Sequence, residues 1–181
     1  MSKIDSYSEL LSAGNTKTLT DDKSEAKAKI YIKAKDDLRL INVDHGLIND
    51  KENVKKCDYM ILGENSNKTH MVELKGANID AAFQQITSTL DYFSGEDEVR
   101  ELVTSREILD AYIASPKRQK VPNVPSLQEK KLVRKLAARN KRRPKDIFDL
   151  LHFVKVVKNQ KKAIRNGRQI IISGYAPLEL D

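Results

Sequence analysis

Hydrophobic positions along the chain change period several times, and each change marks an element. Leu38-Arg39-Leu40-Ile41-Asn42-Val43 has the pattern of a strand, as do the apolar runs Asp58-Tyr59-Met60-Ile61-Leu62 and His70-Met71-Val72-Glu73-Leu74-Lys75. Between the last two lies Gly63-Glu64-Asn65-Ser66-Asn67-Lys68, whose Gly and Asn content predicts a hairpin turn. Gly76-Ala77-Asn78 breaks the second run. From Ile79 to Phe93 the spacing becomes helical, with Ala82, Phe83, Ile86, Leu90 and Phe93 toward a core and Asn78 placed to cap. Leu109 to Ala114 predicts a fourth strand, and Gln169 to Ser173 is again strand-like.

Other stretches are less regular. Asp21 to about Lys35 predicts a helix, with Thr20 or Asp21 as cap, acids in the first turn and lysines toward the end. Ser126 to Asn140 predicts another, with a capping box from Ser126 and Glu129 and with Leu127, Val133, Leu136 and Ala137 on one side. Residues 1–20 are polar apart from Leu10-Leu11 and predict a loosely held segment. A polar loop is expected over 44–56 and an extended stretch around Pro116, Pro122 and Pro125, while 145–168 shows no decisive period.

Composition narrows the class. The 181 residues suit a single domain spanning 1–181, long enough to bury a core. With 33% of residues charged, no window approaches the ~20 consecutive apolar residues of a membrane span. The N-terminus lacks the apolar stretch of a secretory signal. Cys57 stands alone and cannot form an internal disulfide, so the chain reads as a soluble, cytoplasmic protein of a reducing compartment.

Charge divides the chain more sharply than the net +7 suggests. Pro116 to Ile170 holds 18 Lys and Arg against Glu129, Asp146 and Asp149, a net of +15, and the other 126 residues carry −8. Clustered cations of this kind suit a polyanion, because they displace counterions from a phosphate backbone. The alternative is a solvated lysine-rich surface. Lys117, Arg118, Lys130, Lys131, Lys141, Arg142, Arg143, Lys161 and Lys162 are the expected phosphate contacts. Such contacts position a substrate without reading its sequence.

The acids fall where apolar residues are expected. Asp58 opens one strand of the hairpin, and Glu73 and Lys75 share one face of the other. Pairing brings two carboxylates and an ammonium toward one point, an oxygen-rich set suited to Mg²⁺ or Mn²⁺. The bland alternative is a Glu–Lys pair on an exposed strand face. His45, His70 and His152 lie far apart without zinc spacing, and His70, on the face opposite Glu73, reads as structural. Asp44-His45-Gly46 reads as a turn or, as the alternative, part of a substrate-facing loop, and no Gly-rich phosphate loop occurs.

Cys57-Asp58-Tyr59-Met60-Ile61, then Val72-Glu73-Leu74-Lys75-Gly76, then a helix carrying Gln84-Gln85, resembles the PD-(D/E)XK nuclease superfamily. The likeness covers about residues 21–115, with 116–181 as a basic C-terminal extension. It implies an α/β restriction-endonuclease-like αβββαβ core and metal-dependent hydrolysis of phosphodiester bonds, with DNA the expected substrate. By position it makes Asp58 and Glu73 the metal-binding acids, Leu74 a carbonyl ligand and Lys75 the catalytic lysine. Glu25 and Gln85 match accessory positions in some branches, Glu25 equally suiting a first-turn acid that serves a helix dipole. Cys57 stands where the motif's name has Pro, and Thr89 stands where an exonuclease-like pattern has Tyr. An enzyme of this size that cuts both strands would pair with a second copy as a homodimer. The alternative function is a nucleic-acid-binding module, or a subunit, that keeps the fold without cleaving.

Overall fold

The computed structural model describes residues 3–21, 28–48, 53–76, 78–104, 106–115 and 121–181. One helical turn, α1 (Lys3–Ser6), precedes β1 (Ser8–Leu11), β2 (Thr16–Thr20), β3 (Lys29–Ala34) and β4 (Leu38–Asn42). After a turn of π-helix at Val43–Leu47 come β5 (Tyr59–Gly63), β6 (Lys68–Leu74), α2 (Ile79–Gly95) and β7 (Ile108–Ser115). The chain continues through α3 (Leu127–Arg139), β8 (Leu151–Val156), β9 (Ile164–Asn166), β10 (Gln169–Ile172) and β11 (Leu178–Leu180). Among the described residues, the strands form an eight-stranded mixed sheet, β1-β4-β5-β6-β7-β8-β10-β9, and a three-stranded sheet, β11-β3-β2.

These make three layers. The large sheet packs one face on α2 and α3, where Met71, Ala111, Ile113 and Phe153 meet Phe83, Ile86, Leu90 and Leu136. Its other face packs on the small sheet, through Val72, Leu74, Tyr112, Val154 and Ile170 against Ile30, Ile32 and Leu178. β6 lies between these layers, so both its faces are covered, and every residue from Thr69 to Leu74 is buried.

The hairpin β5–β6, α2 and β7 lie where the apolar pattern predicts. Asn78 caps α2, its Oδ1 accepting from Ala81 N at 3.0 Å. Three expectations need correction. The helix expected over 21–35 is a strand at Lys29–Ala34; residues 22–27 lie outside the described set. Ala28, Ile30, Ile32 and Ala34 alternate inward, and β-branched side chains at period two outweigh the helical Ala–Lys composition. An αβββαβ order is therefore not seen; the observed order from Leu38 to Ser115 is β4-β5-β6-α2-β7. The N-terminal segment is not loose either, because β1 pairs with β4 and β2 with β3.

The third correction concerns α3. Ser126 Oγ accepts from Glu129 N at 3.1 Å, but the Glu129 carboxylate does not return to close a capping box; it is buried and ion-paired with Arg168. Leu127, expected inward, is 81% exposed, and Leu132 packs instead beside Val133 and Leu136. The basic stretch after residue 121 supplies strands β8, β10 and β9 to the same large sheet, β8 parallel to β7, β10 parallel to β8 and β9 antiparallel at the edge. Leu150-Leu151-His152-Phe153-Val154 is the continuous apolar run of a strand buried on both faces. Among the described residues no helix is long and apolar enough to cross a membrane.

Candidate active site

The pairing of Tyr59 with Val72 in the antiparallel β5–β6 ladder sets the residue before β5, Asp58, opposite Glu73. Asp58 is fixed at both ends. Its carbonyl accepts from Val43 N at 2.9 Å, and its Oδ2 accepts from Leu74 N at 2.6 Å. Glu73 points to the helix-covered face and is only 1% exposed. Lys75 leaves the strand with its N–H on Ala114 O at 2.9 Å, and its Nζ lies 3.7 Å from Glu73 Oε1.

α2 holds that lysine. Lys75 Nζ donates to Gln85 Oε1 at 2.6 Å, while Gln85 Nε2 donates to Lys56 O at 2.9 Å. One turn on, the Thr89 hydroxyl donates to Gln85 O and accepts from Cys57 N, at 2.9 and 2.8 Å. Thr89 thus ties the helix to the segment carrying Asp58, a task for which its buried hydroxyl suffices. Gln84 faces away from Lys75 and accepts from Lys55 Nζ. The structure therefore joins Asp58, Glu73, Leu74, Lys75 and Gln85 at one end of β6.

Electrostatics mark this cluster as incomplete. Burial pushes Asp58 up to about 7, and the negative charges of Asp21 and Asp44 push the same way; the Leu74 N–H and Lys75 oppose them. Burial and the adjacent Asp58 hold Glu73 well above the ordinary carboxylate range, with Lys75 opposing. Glu73 Oε2 is buried and accepts no hydrogen bond. A buried carboxylate oxygen left this way costs free energy unless a cation or donor meets it. Two carboxylates flanking the Leu74 main chain fit a hard divalent cation that keeps water and substrate oxygens for its remaining positions. Among the described residues no group of three or more Asp, Glu, His or Cys encloses a complete ion cage.

Two further acids stand by the site, Asp21 and Asp44, which the sequence offers only as a helix cap and as part of a turn or substrate-facing loop. They line a cleft of about 280 Å³ that opens beside Asp58, with Thr20, Asn42 and Tyr59. Asp44 is placed there by the π-helical turn, where Asn42 Oδ1 accepts from His45 N at 3.1 Å, and it lies 3.7 Å from Lys56 Nζ. Neither acid has a motif around it; only the fold draws them toward Asp58. Glu25 lies outside the described residues.

The basic residues divide between the two ends of the sheet. Lys117 and Arg118 lie outside the described residues. Lys130 and Lys131 are exposed near the start of α3, where the Ser126 hydroxyl donates to Asp80 at the start of α2, at 3.3 Å. Lys141, Arg142 and Arg143 are exposed at the opposite end. There Lys141 N donates to Arg106 O and Arg142 N to Glu107 O, at 2.9 and 3.4 Å, ahead of β7. β7 then runs about 20 Å before Ser115 reaches Gly76 O.

A second ionisable cluster occupies the other face of the same strands. The parallel ladders align His70 with Asp110 and Tyr112 with His152, so two histidines distant in sequence meet one carboxylate. His70 Nδ1 lies 2.6 Å from Asp110 Oδ1, the Tyr112 hydroxyl donates to Oδ2 at 3.2 Å, and His152 Nε2 is 3.6 Å from Oδ2. Burial alone would raise Asp110, but the His70 charge and the hydrogen bonds of His152 and His70 hold it well below the usual carboxylate range. Burial opposes the His70 imidazolium, yet Asp110 keeps its pKa raised. The structural reading of His70 agrees with this closed network.

Comparison of the chain with protein-family profiles, with curated proteins and with solved structures finds no match.

Proposed function

We propose that this chain is a divalent-metal-dependent phosphodiesterase acting on nucleic acid, with DNA the expected substrate, of the restriction-endonuclease-like kind that its motif resembles. The observation that carries this reading is the buried, unpartnered Glu73 oxygen opposite Asp58, beside a lysine held by Gln85. The order β4-β5-β6-α2-β7 supports it, since it follows the βββαβ part of the expected core.

Asp58, Glu73 and the Leu74 carbonyl would hold the ion. Bound Mg²⁺ or Mn²⁺ would offset charge developing on the phosphate and lower the pKa of a bound water. Hydrolysis joins a water oxygen to phosphorus and breaks the phosphorus–oxygen ester bond, the leaving oxygen taking a proton. Lys75 donates a hydrogen bond to the attacking water or to a phosphate oxygen, and its ammonium balances charge there. Gln85 fixes where that ammonium sits. Burial around Glu73 keeps bulk water from weakening these interactions. Lys130 and Lys131, at the sheet end that bears the site, grip the backbone.

A cleavage assay on plasmid, linear and branched DNA and on RNA, with Mg²⁺, Mn²⁺ or EDTA, tests this. Lys75→Ala and Glu73→Ala are expected to lose at least about 100-fold in rate while keeping salt-sensitive binding. If the wild type cuts nothing with any metal, the non-cleaving binding module takes the place of this reading.

A further inference from the structure

A groove of about 480 Å³ opens at the far edge of the large sheet, beside β9 and β10. Four cations line it, Lys33 half-buried and Lys161, Lys162 and Arg165 exposed, the last with its guanidinium 3.3 Å from His152 Nδ1, and Tyr175 stands over it. Among the described residues neither Lys161 nor Lys162 has an ion-pair partner. The acid on its wall, Glu179, is already engaged by Lys35 at 3.0 Å and Lys33 at 4.0 Å. Four cations thus face one wall carboxylate that is itself paired, and the groove keeps a positive excess.

Tyr175 is presented rather than loosely exposed. Its side chain is on a residue 81% open to solvent, yet its backbone sits in a tight turn whose ends, Ser173 and Ala176, exchange hydrogen bonds at 3.1 Å. The buried Ser173 hydroxyl accepts from Tyr175 N at 3.1 Å and Ala176 N at 3.3 Å, and donates to Gln160 O at 2.5 Å. Gln160 in turn donates to Lys162 O at 2.8 Å, so the same network orders the lysine loop. An exposed phenol ring carried on an ordered turn, beside Lys161, Lys162 and Arg165, is poorly explained by packing. It is what a stacking platform for an unpaired base requires, because the base faces of a duplex are covered by their neighbours.

The register relates this groove to the candidate site. Leu74, Ala114, Val154, Ile170 and Arg165 are successive partners across β6, β7, β8, β10 and β9. Four strand spacings make about 19 Å. The lysine loop follows β8, whose C-terminal end lies with that of β6, so loop and site share one end of the sheet. Glu73 faces the helices and the groove opens on the other face, so a connecting strand runs along the sheet end.

We propose that this groove binds a single-stranded nucleic-acid segment, its phosphates on Lys161, Lys162 and Arg165 and a base stacked on Tyr175. Its place in the nuclease rests on the function proposed above: it would favour substrates with a single-stranded tail or branch over blunt duplex.

The test is fluorescence anisotropy in EDTA with the full chain and two labelled probes, an oligothymidylate of about 12 nucleotides and a blunt duplex of equal length. The oligothymidylate should bind more tightly. Tyr175→Ala should weaken it about 10-fold and Tyr175→Phe should leave it near wild type. Lys161→Ala with Lys162→Ala should lower the slope of log affinity on log salt by about 1.4. Equal affinity for both probes, or a Tyr175→Ala variant that binds like wild type, would overturn the proposal. A lysine effect without a tyrosine effect would also overturn it, as it would mean a phosphate site that ignores bases. Because no metal is present, failure of wild-type cleavage would sink the nuclease reading and leave this result standing.

Discussion

The two faces of β6 bury ionisable clusters within a few residues of each other, and they reach opposite electrostatic ends. Around Asp110 both carboxylate oxygens are met, Oδ1 by His70 and Oδ2 by the Tyr112 hydroxyl, with His152 3.6 Å away, and the group is held strongly acidic. Around Glu73 the nearest cation is 3.7 Å away and shared with Gln85, one oxygen is orphaned, and Asp58 is pushed up to about 7. Burial of charge is common to both, so burial does not mark function. What differs is completeness. Glu129 shows the same distinction, since its one unmet oxygen belongs to a carboxylate already paired with Arg168, itself packed over Phe148 and Phe153.

The largest expected contrast is in turnover. Glu73→Gln should lose at least about 100-fold in cleavage rate, whereas His70→Gln, where it folds, should stay within several-fold of wild type in the same gel assay. Equal losses from both would erase the comparison.

Stability should move in opposite directions. Asp110→Asn leaves the buried His70 imidazolium without its counter-charge and should cost about 3–5 kcal/mol, a fall of about 6–20 °C in melting temperature. Asp58→Asn should instead stabilise the metal-free protein at pH 8 by about 1–4 kcal/mol, because it removes a buried charge that the Leu74 N–H and Lys75 offset only in part. The sign follows from linkage. Asp58 is raised above its unfolded value of 3.8, so its contribution is full below that value and lost as pH rises through about 7. The gain from Asp58→Asn should therefore vanish near pH 4. Asp110 behaves inversely: its contribution is present above 3.8 and lost as pH falls below it. Thermal melts of the two variants across pH 4–8 would check both signs.

The smallest effect should come from the far end of the sheet. Replacing Lys141, Arg142 and Arg143 with Ala should weaken binding of every sequence alike and flatten its salt dependence, with less effect on cleavage than Lys130→Ala with Lys131→Ala. About 20 Å of strand separates the first group from Lys75. Unchanged affinity would remove those three residues from the binding surface.

Legibility in the sequence followed the range of the interactions. The β5–β6 hairpin and α2 were readable because a turn and a helix period are local, and they bring Asp58, Glu73, Lys75 and Gln85 together over fewer than 30 positions. β3 was misread because its Lys and Ala are good helix formers, while the deciding Ile30 and Ile32 act only once a second sheet covers them. The Asp110 network escaped notice because parallel pairing joins residues 40 and 42 positions apart, a relation no local pattern carries. Asp21 was invisible as a site residue for the same reason, and Asp44 was legible only as part of a turn or substrate-facing loop. Leu127 shows the converse, an apolar residue in helical register that the fold leaves in water.

The central claim is that the Asp58–Glu73 cluster is unfinished until a divalent cation completes it. Calorimetric titration of Mn²⁺ into the wild type, Glu73→Gln and His70→Gln, in two buffers of different ionisation heat, measures this directly. One saturable site is expected in the wild type and in His70→Gln, with affinity rising through about pH 7 as the proton leaves Asp58, and no site in Glu73→Gln. A wild type that binds no Mn²⁺, or binding that survives Glu73→Gln, would contradict it.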